Sequence, residues 1–469
     1  MDVLLVNTNR CDQPFPVMPL GACMVADALS QHGHRTRMLD LMFDPDPIAS
    51  LRRALKSGSF DIVGFSLRNI DNNDMRQPQF FLDGLPAMVD AVREISDAKI
   101  VIGGAAVGVM PDDILRFSGA DYAVVGDGEI AAPELLSLIE GNNFAIADRL
   151  FRAGPKPSLA PARHCAPPDL RRWIDVSSYL ARMSTVPLQT KLGCPYHCVY
   201  CTYRKIEGES YRLCPPEHVA DAVQRLSSEG LRDIEFVDNV FNSPYDHAME
   251  ICLLLSKKKH GARLQSLELN PAFVDDSLIE AMEEAGFVGM GITAESASDA
   301  VLGHLRKPFT VADVHKAAAI VSRRQLPCIW IFLLGGPGEN RQSVEETLSF
   351  AEEHVRPKDA VFFNIGVRIY PGTELEAIAR AQKVLNTKTH EMLRPVFYVS
   401  PDIDPDWLSE RMRTYIKKHM NVIDSTSLSL PFLPALHKIG RRIGFRPPLW
   451  RHTPAIRRLL QYTGIYTYR

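Results

Sequence analysis

Two series of short, unbroken apolar runs alternating with helical patterns constrain this chain more than any other feature. In the first, "DVLLVN" (Asp2–Asn7) reads as a buried strand and "PLGACMVADALSQHG" (Pro19–Gly33) as a helix closed by glycine. "RTRMLDL", "DIVGFSL" (Asp61–Leu67), "KIVIGG" (Lys99–Gly104) and "ADYAVVGDGE" (Ala120–Glu129) continue as strands. Val/Ile/Leu strands separated by helices predict a parallel sheet covered on both faces. Such a sheet takes ligands outside the carboxyl ends of its strands, here the segments 7–16, 66–73, 103–109 and 126–129. The second series starts at "VPLQTKLGC". It runs through "DIEFVDN" (Asp233–Asn239), "SLELNP" (Ser266–Pro271), "GMGITAES" (Gly289–Ser296), "CIWIFLLGG" (Cys328–Gly336) and "VFFNIGVRIYPG" (Val361–Gly372). Six βα units predict a partial barrel, with reacting groups at the carboxyl ends of its strands. Between the series, residues 143–183 are rich in proline and alanine without an apolar period, which predicts a linker.

At 469 residues the chain has room for two or three domains. Its 46% apolar and 23% charged content is that of a soluble globular protein, and a formal charge of −3 gives no reason to expect a nucleic-acid partner. The nine cysteines are odd in number and scattered, which does not read as a disulfide framework. The start moves straight into a strand without the regions of a signal peptide, and no apolar run approaches the ~18 residues of a membrane span. Together these point to a reducing cytoplasm.

Three cysteines depart from the scatter. "KLGCPYHCVYCTYRK" (Lys191–Lys205) holds Cys194, Cys198 and Cys201 in the spacing C-x3-C-x2-C. A structural zinc or a fully ligated iron–sulfur cluster takes four protein ligands. Three thiolates on a tight loop can ligate three irons of a cubic cluster and leave the fourth for a small chelating ligand. The other reading is a three-cysteine zinc site completed by His197 or another residue. Gly193 permits a close turn past the cluster, and Tyr200 places an aromatic ring just before the last cysteine.

The segment resembles the cluster motif of the radical S-adenosylmethionine (SAM) enzymes. The resemblance implies a 4Fe–4S cluster on Cys194, Cys198 and Cys201, with SAM on the open iron. Further stretches follow the family order. "FVDNVFN" supplies Asp238 and Asn239 where the family receives the SAM amine, though without the common Gly-Gly-Glu form. "GITAES" resembles the Gly-x-Glu-Ser stretch, so Glu295 and Ser296 would face SAM. "LGHLRKPFT" carries Lys307, "LLGGPGEN" resembles the turn beside the adenosine, and "RIYPGTEL", beginning at Arg368, matches the stretch typical of members with a cobalamin domain. These assign Asp238, Asn239, Glu295, Ser296 and Arg368 to SAM.

The first domain resembles the cobalamin-binding domain fused to many of these enzymes, through "PLG", "DIVGFSLRNIDNN", "VIGGAAVGVMPDD" and "GADYAVVGDGE". The cobalamin crevice would then be formed by Ser66, Arg68, Asn69, Asp71, Gly103, Gly104, Gly126 and Glu129, with Gly108 also allowing close approach. The Asp-x-His-x-x-Gly motif of cobalamin mutases is missing, so the resemblance implies cobalamin without a protein histidine as lower ligand. A domain that keeps this fold without the cofactor is the alternative.

The chain thus reads as α/β: a doubly wound, flavodoxin/Rossmann-like parallel-sheet domain (1–142), a Pro-rich linker (143–183), a partial (β/α)6 radical SAM barrel (184–385) and a mostly helical C-terminal region with a basic tail (386–469). From His437 to Arg469 the tail has eight Lys/Arg and no Asp or Glu. Leu433, Leu436, Ile439 and Ile443 fall on one helical face and Lys438, Arg441 and Arg442 on another. Such a face suits a cap on the barrel, or peripheral contact with an anionic membrane. Cys11, Cys23, His32, His34 and Cys328 read as structural, and Cys214 as a candidate for exposure.

The resemblance implies a cobalamin-dependent C-methyltransferase acting on an unactivated carbon through a 5′-deoxyadenosyl radical and methylcobalamin. Rearrangement, cyclisation or oxidation on the same architecture is the rival reaction, and a non-enzymatic regulator with a closed zinc site the rival from another class. A methylthiotransferase would need a second cluster motif in the first domain, which the sequence does not display. Expected partners are a small-molecule, lipid or peptide substrate and an electron donor such as flavodoxin or ferredoxin.

Overall fold

A computed structural model describes residues 1–141, 149–152, 165, 167–386, 388–424 and 433–462. In the first domain, β1 (Asp2–Asn7), β2 (Arg35–Asp40), β3 (Ile62–Ser66), β4 (Lys99–Gly103), β5 (Tyr122–Val125) and β6 (Leu150–Arg152) form one parallel sheet in the order β2-β1-β3-β4-β5-β6. Both faces are covered, which is why the strands are apolar at consecutive positions. Leu4, Val6, Val63 and Phe65 pack on one side, and Val3, Ile62, Val101 and Val124 on the other. The order reverses between β1 and β3, so the ligand crevice of this topology opens at their carboxyl ends. The sixth strand lies within the stretch expected to be linker. Two short helices there, Leu170–Trp173 and Val176–Leu180, pack with the barrel core.

The second domain begins with β7 (Val186–Leu188) and a short hairpin, β8 (Lys191–Leu192) and β9 (Arg212–Leu213). It continues with β10 (Asp233–Phe236), β11 (Arg263–Leu269), β12 (Phe287–Glu295), β13 (Cys328–Leu334) and β14 (Ala360–Ile365). β15 (Val367–Arg368) pairs antiparallel with β16 (Phe397–Tyr398), and β17 (Val422–Asp424) joins the far edge. The barrel sheet is parallel and runs β17-β14-β13-β12-β11-β10-β7. The six expected strands are present, and the C-terminal region contributes the seventh.

The tail closes the barrel differently from the reading of its helical face. In the helix Leu433–Arg442, Ile439 and Ile443 just beyond it are 55% and 70% exposed, while His437 is buried. The segment Pro448–Trp450 does the capping. Trp450 packs with Leu267, Ile329, Ile331, Ala360 and Phe362, and a Cβ on Gly289 would come within 2.8 Å of its ring. Among the described side chains the group that closes the barrel is Trp450. The side chains of Leu433 and Leu436 lie outside those described.

The expectation for Cys214 needs correction. Cys165 and Cys214 form a disulfide across 49 residues, and Cys214 is buried rather than exposed. One bridge between a patternless segment and the hairpin leaves no trace in a cysteine count. Among the described residues, no helix is long and apolar enough to cross a membrane.

Candidate active site

The cysteine loop spans the turn of the β8–β9 hairpin. Gly193 has φ +83°, and a Cβ there would collide with the carbonyl oxygen of Ser210, so only glycine fits. Its amide donates to Glu207 Oε2 at 3.1 Å, and Asn239 Nδ2 donates to the same oxygen at 2.6 Å. Cys194 is buried, Cys198 and Cys201 half-buried, and all three are free thiols. Burial raises the thiol pKa of Cys194, and that of Cys201 to about 11. Among the described residues no three His, Cys, Asp or Glu converge on a single-ion site. The thiols of a cubic cluster bind separate irons and need no such convergence. His197, the residue that would complete a zinc site, accepts from Arg204 at Nδ1 (2.7 Å).

Asp238 is placed beneath this loop and not in the open. It accepts from Thr190 N (2.7 Å), Thr190 Oγ1 (2.6 Å) and Lys191 N (3.3 Å), with Lys191 Nζ at 3.5 Å. Its oxygens anchor the entry to the cluster loop. Asn239 is likewise engaged with Glu207. Neither Glu207 nor Lys191 was singled out by sequence; their roles come from contacts across the hairpin.

On the other side of the loop, Glu295 sits at the end of β12 with φ +61°, a conformation that costs a non-glycine residue about 1–3 kcal/mol. Its Oε1 accepts from Tyr200 OH (2.6 Å) and Lys307 Nζ (2.9 Å). Burial works against the Lys307 ammonium, but the Glu295 carboxylate outweighs it and holds Lys307 charged. Burial first, then Glu295, raises the Tyr200 phenol, which stays a donor. The aromatic residue before Cys201, the family-type glutamate and Lys307 are thus one hydrogen-bonded unit. Ser296 is fully buried, with its hydroxyl 3.2 Å from Thr347 Oγ1. The register shift after Thr293 precedes it.

Arg368 lies at the seam between the domains. Its Nε donates to Asp71 Oδ2 at 2.8 Å, and its other nitrogens donate to the backbone carbonyls of Ile369, Met392, Val396 and Leu393. Both partners are buried, so a residue expected at SAM and one expected at cobalamin are paired with each other across the domains. Around them Asn73 meets Tyr370 OH (3.1 Å), Met75 fills the space beside Gly366, and Arg76 pairs with Asp424.

The rest of the crevice set lies at the carboxyl ends of the first sheet. Arg68 and Asn69 are exposed, and Ser66 and Glu129 are half-buried. Gly104 has φ +102° and no room for a Cβ beside Leu67, while Gly126, at φ +100°, borders open space. Gly103 lies alongside Val124. This edge faces the cluster loop directly: Gly108 packs against Ile206, and Arg212 pairs with Asp127. Tyr203, two residues after Cys201, remains 48% exposed there.

Comparison with known families meets this geometry at both ends. The model described as the radical SAM superfamily matches residues 189–351, and that described as the B12 binding domain matches residues 13–136. The chain thus carries a radical SAM region and a B12-binding region. It is 23% identical to a tryptophan 2-C-methyltransferase from Streptomyces laurentii over 79% of this chain and 73% of the relative. It is 26% identical to a hopanoid C-3 methylase from Methylococcus capsulatus over 51% of this chain and 48% of that protein. In fold it matches the radical SAM methyltransferase TsrM from Kitasatospora setae, solved with cobalamin and a 4Fe–4S cluster, at TM-score 0.83, covering 98% and 99% of the two chains at 21% identity. The cobalamin-dependent SAM radical enzyme OxsB matches at 0.70, 14% identity, over 99% of this chain and 72% of its own.

The residues of this radical SAM enzyme fit the groups the family uses. Three unbridged thiols on a glycine-hinged loop suit a cluster with one open iron, and the Gly104–Gly126 edge gives a large planar ligand backbone to lie against. The first domain's described histidines are elsewhere. His32 contacts Ala28 O, and His34 contacts the N-terminal amine, both near the amino ends of the strands. No described histidine of this domain stands at the crevice.

Proposed function

We propose that this chain is a cobalamin-dependent C-methyltransferase that methylates an unactivated carbon of a small organic substrate. The observation that carries the reading is the apposition of the two carboxyl-end edges, with the Gly104–Gly126 crevice of the first sheet facing the Cys194–Cys201 loop of the barrel. Cys194, Cys198 and Cys201 hold the cluster, with SAM beside the Tyr200–Glu295–Lys307 unit. Ser66, Arg68, Asn69, Gly103, Gly104, Gly126 and Glu129 border the cobalamin. Bound there, cluster and SAM supply one-electron cleavage chemistry and cobalamin a methyl-transfer relay.

The chain's own residues do the positioning. Gly193, Glu207 and Asp238 fix the cluster loop, and the Asp71–Arg368 pair fixes the distance between the domains. The reacting carbon must be held between two cofactors, and misplacement by about 1 Å can cost ~100-fold in rate. Lys307 keeps a positive charge close to the cysteine loop. A one-electron donor such as flavodoxin or ferredoxin serves the cluster.

The test is anaerobic reconstitution with iron, sulfide and hydroxocobalamin, followed by electron paramagnetic resonance with and without SAM. The expected result is a 4Fe–4S signal perturbed by SAM in the wild type and lost in C194A/C198A/C201A, with bound cobalamin in a base-off cob(II)alamin form. A cluster without cobalamin binding would remove methyl transfer through cobalt. Product mass then separates the reactions: one methylene unit gained for methyl transfer, none for rearrangement or cyclisation.

A further inference from the structure

The inner wall of the barrel is divided by chemistry. Side chains alternate along a strand, and Ile234, Phe236 and Leu264 pack outward in the helix-facing core. The opposite set points inward. From β10 and β11 these are Asp233, Glu235, Arg263 and Gln265, joined by Thr185 just before β7; from β13 and β14 they include Ile329, Ile331 and Phe362, packed with Trp450. Asp233 and Arg263 pair with each other. Glu235 and Gln265 stand side by side in the register of β10 and β11.

Their hydrogen bonds do not close. Glu235 Oε2 accepts from Thr185 Oγ1 (2.6 Å) and Gln265 Nε2 (2.7 Å), while Oε1 has no hydrogen bond among the described residues. Gln265 is 3% exposed, and its side-chain carbonyl oxygen is buried with no partner. Farther along β11, Glu268 makes no side-chain hydrogen bond among the described residues. A buried acceptor left unpaired, as the Gln265 side-chain carbonyl is, costs about 1–3 kcal/mol. The Trp450 indole N–H is also buried without a partner, so it does not satisfy Gln265. Arg68 reaches Glu235 only through space, and Lys307 is committed to Glu295. Burial raises the carboxyl pKa of Glu235, and that of Glu268 to about 8, which is what acids without a cation partner do.

We propose that Glu235 and Gln265 form the head-group site for the substrate and that the group they take is a protonated amine. An ammonium brings three N–H donors and no acceptor, which suits a wall offering acceptors and negative charge. The half-buried Ile331 and Phe362 of the facing strands take the carbon body. This rests on reading the barrel as the reaction chamber, and the test keeps the two apart by measuring binding without turnover.

Full-length reconstituted protein is titrated by equilibrium dialysis with matched probes: tryptamine, 3-ethylindole and indole-3-propionate, together with phenethylamine and hexylamine. The expected result is that an amine binds about 10–100-fold tighter than its uncharged or anionic counterpart, the range for hydrogen bonds to charged groups. E235Q and Q265L, made separately, each reduce that preference several-fold and leave 3-ethylindole binding unchanged. The proposal is overturned if indole-3-propionate matches tryptamine, if no amine of the panel binds, or if both variants keep the preference. The SAM-perturbed cluster signal of the same samples reports independently on the radical SAM site.

Discussion

Breaking the Asp71–Arg368 pair is expected to release the seam between the domains. Both side chains are buried, at 0% and 3% exposure, and their closest approach is 2.8 Å. At an effective dielectric of about 20, unit charges at that distance attract by ~6 kcal/mol, part of which offsets desolvation. Removing one partner leaves a buried charge uncompensated, which costs about 3–5 kcal/mol. Arg368→Met also strips donors from the carbonyls of Ile369, Met392 and Leu393. Global unfolding of a multi-domain chain is not two-state, so the assay is native-state hydrogen exchange on the Ile70–Met75 segment. The Asn73 amide there donates to Asp71 Oδ1 at 3.0 Å. Protection is expected to fall ~100- to 5000-fold in Arg368→Met, and the double variant D71N/R368M to lose about 2–3 kcal/mol less than the sum of the single changes. A loss below ~5-fold, or strict additivity, would refute the coupling.

Glu339 is fully buried, accepts from the Gly335 and Gly336 amides, and is raised by burial to about 8. It holds its proton more tightly folded than unfolded, so its contribution is fully present below pH ~4.5 and is lost by about 1.4 kcal/mol per pH unit up to about 8. Chemical denaturation at several pH values should show Glu339→Gln gaining on wild type across that window; parallel curves would count against it. Opening the Cys165–Cys214 bridge releases a 49-residue loop and should cost about 2–4 kcal/mol, so reductant should destabilise wild type but not Cys165→Ser. Gly193→Ala forces a Cβ into Ser210 at a positive φ, and iron per reconstituted chain should fall several-fold while the B12-type domain still binds cobalamin.

What could be read ahead of the structure was local. The cysteines show in the spacing because one short loop carries the whole ligand set, and the strands of both sheets show because burial on two faces makes them apolar without interruption. β6 escaped because Leu150–Arg152 is too short to carry a period and is flanked by proline-rich sequence. Asp238 reads as a cofactor group because an acid follows a strand at the expected place; only the structure reveals that Thr190 and Lys191 donate to its oxygens. Asp71 and Arg368 are 297 residues apart, and no single-chain pattern links them. Glu235 and Gln265 read as ordinary alternating positions, since their meaning depends on which wall stands opposite.

The Trp450 floor has a consequence for assembly. Domains emerging from the ribosome fold in order, N-terminal first. The crevice of the first sheet and the cysteine loop are both translated long before Trp450, which packs on strands made up to about a hundred and eighty residues earlier. A nascent chain therefore owns its two cofactor edges while the bottom of the barrel still lacks its tryptophan plug. Arg457, whose guanidinium binds the carbonyls of Ile416, His419 and Val422, ties that plug down later still. The floor of the barrel is therefore completed after both cofactor edges.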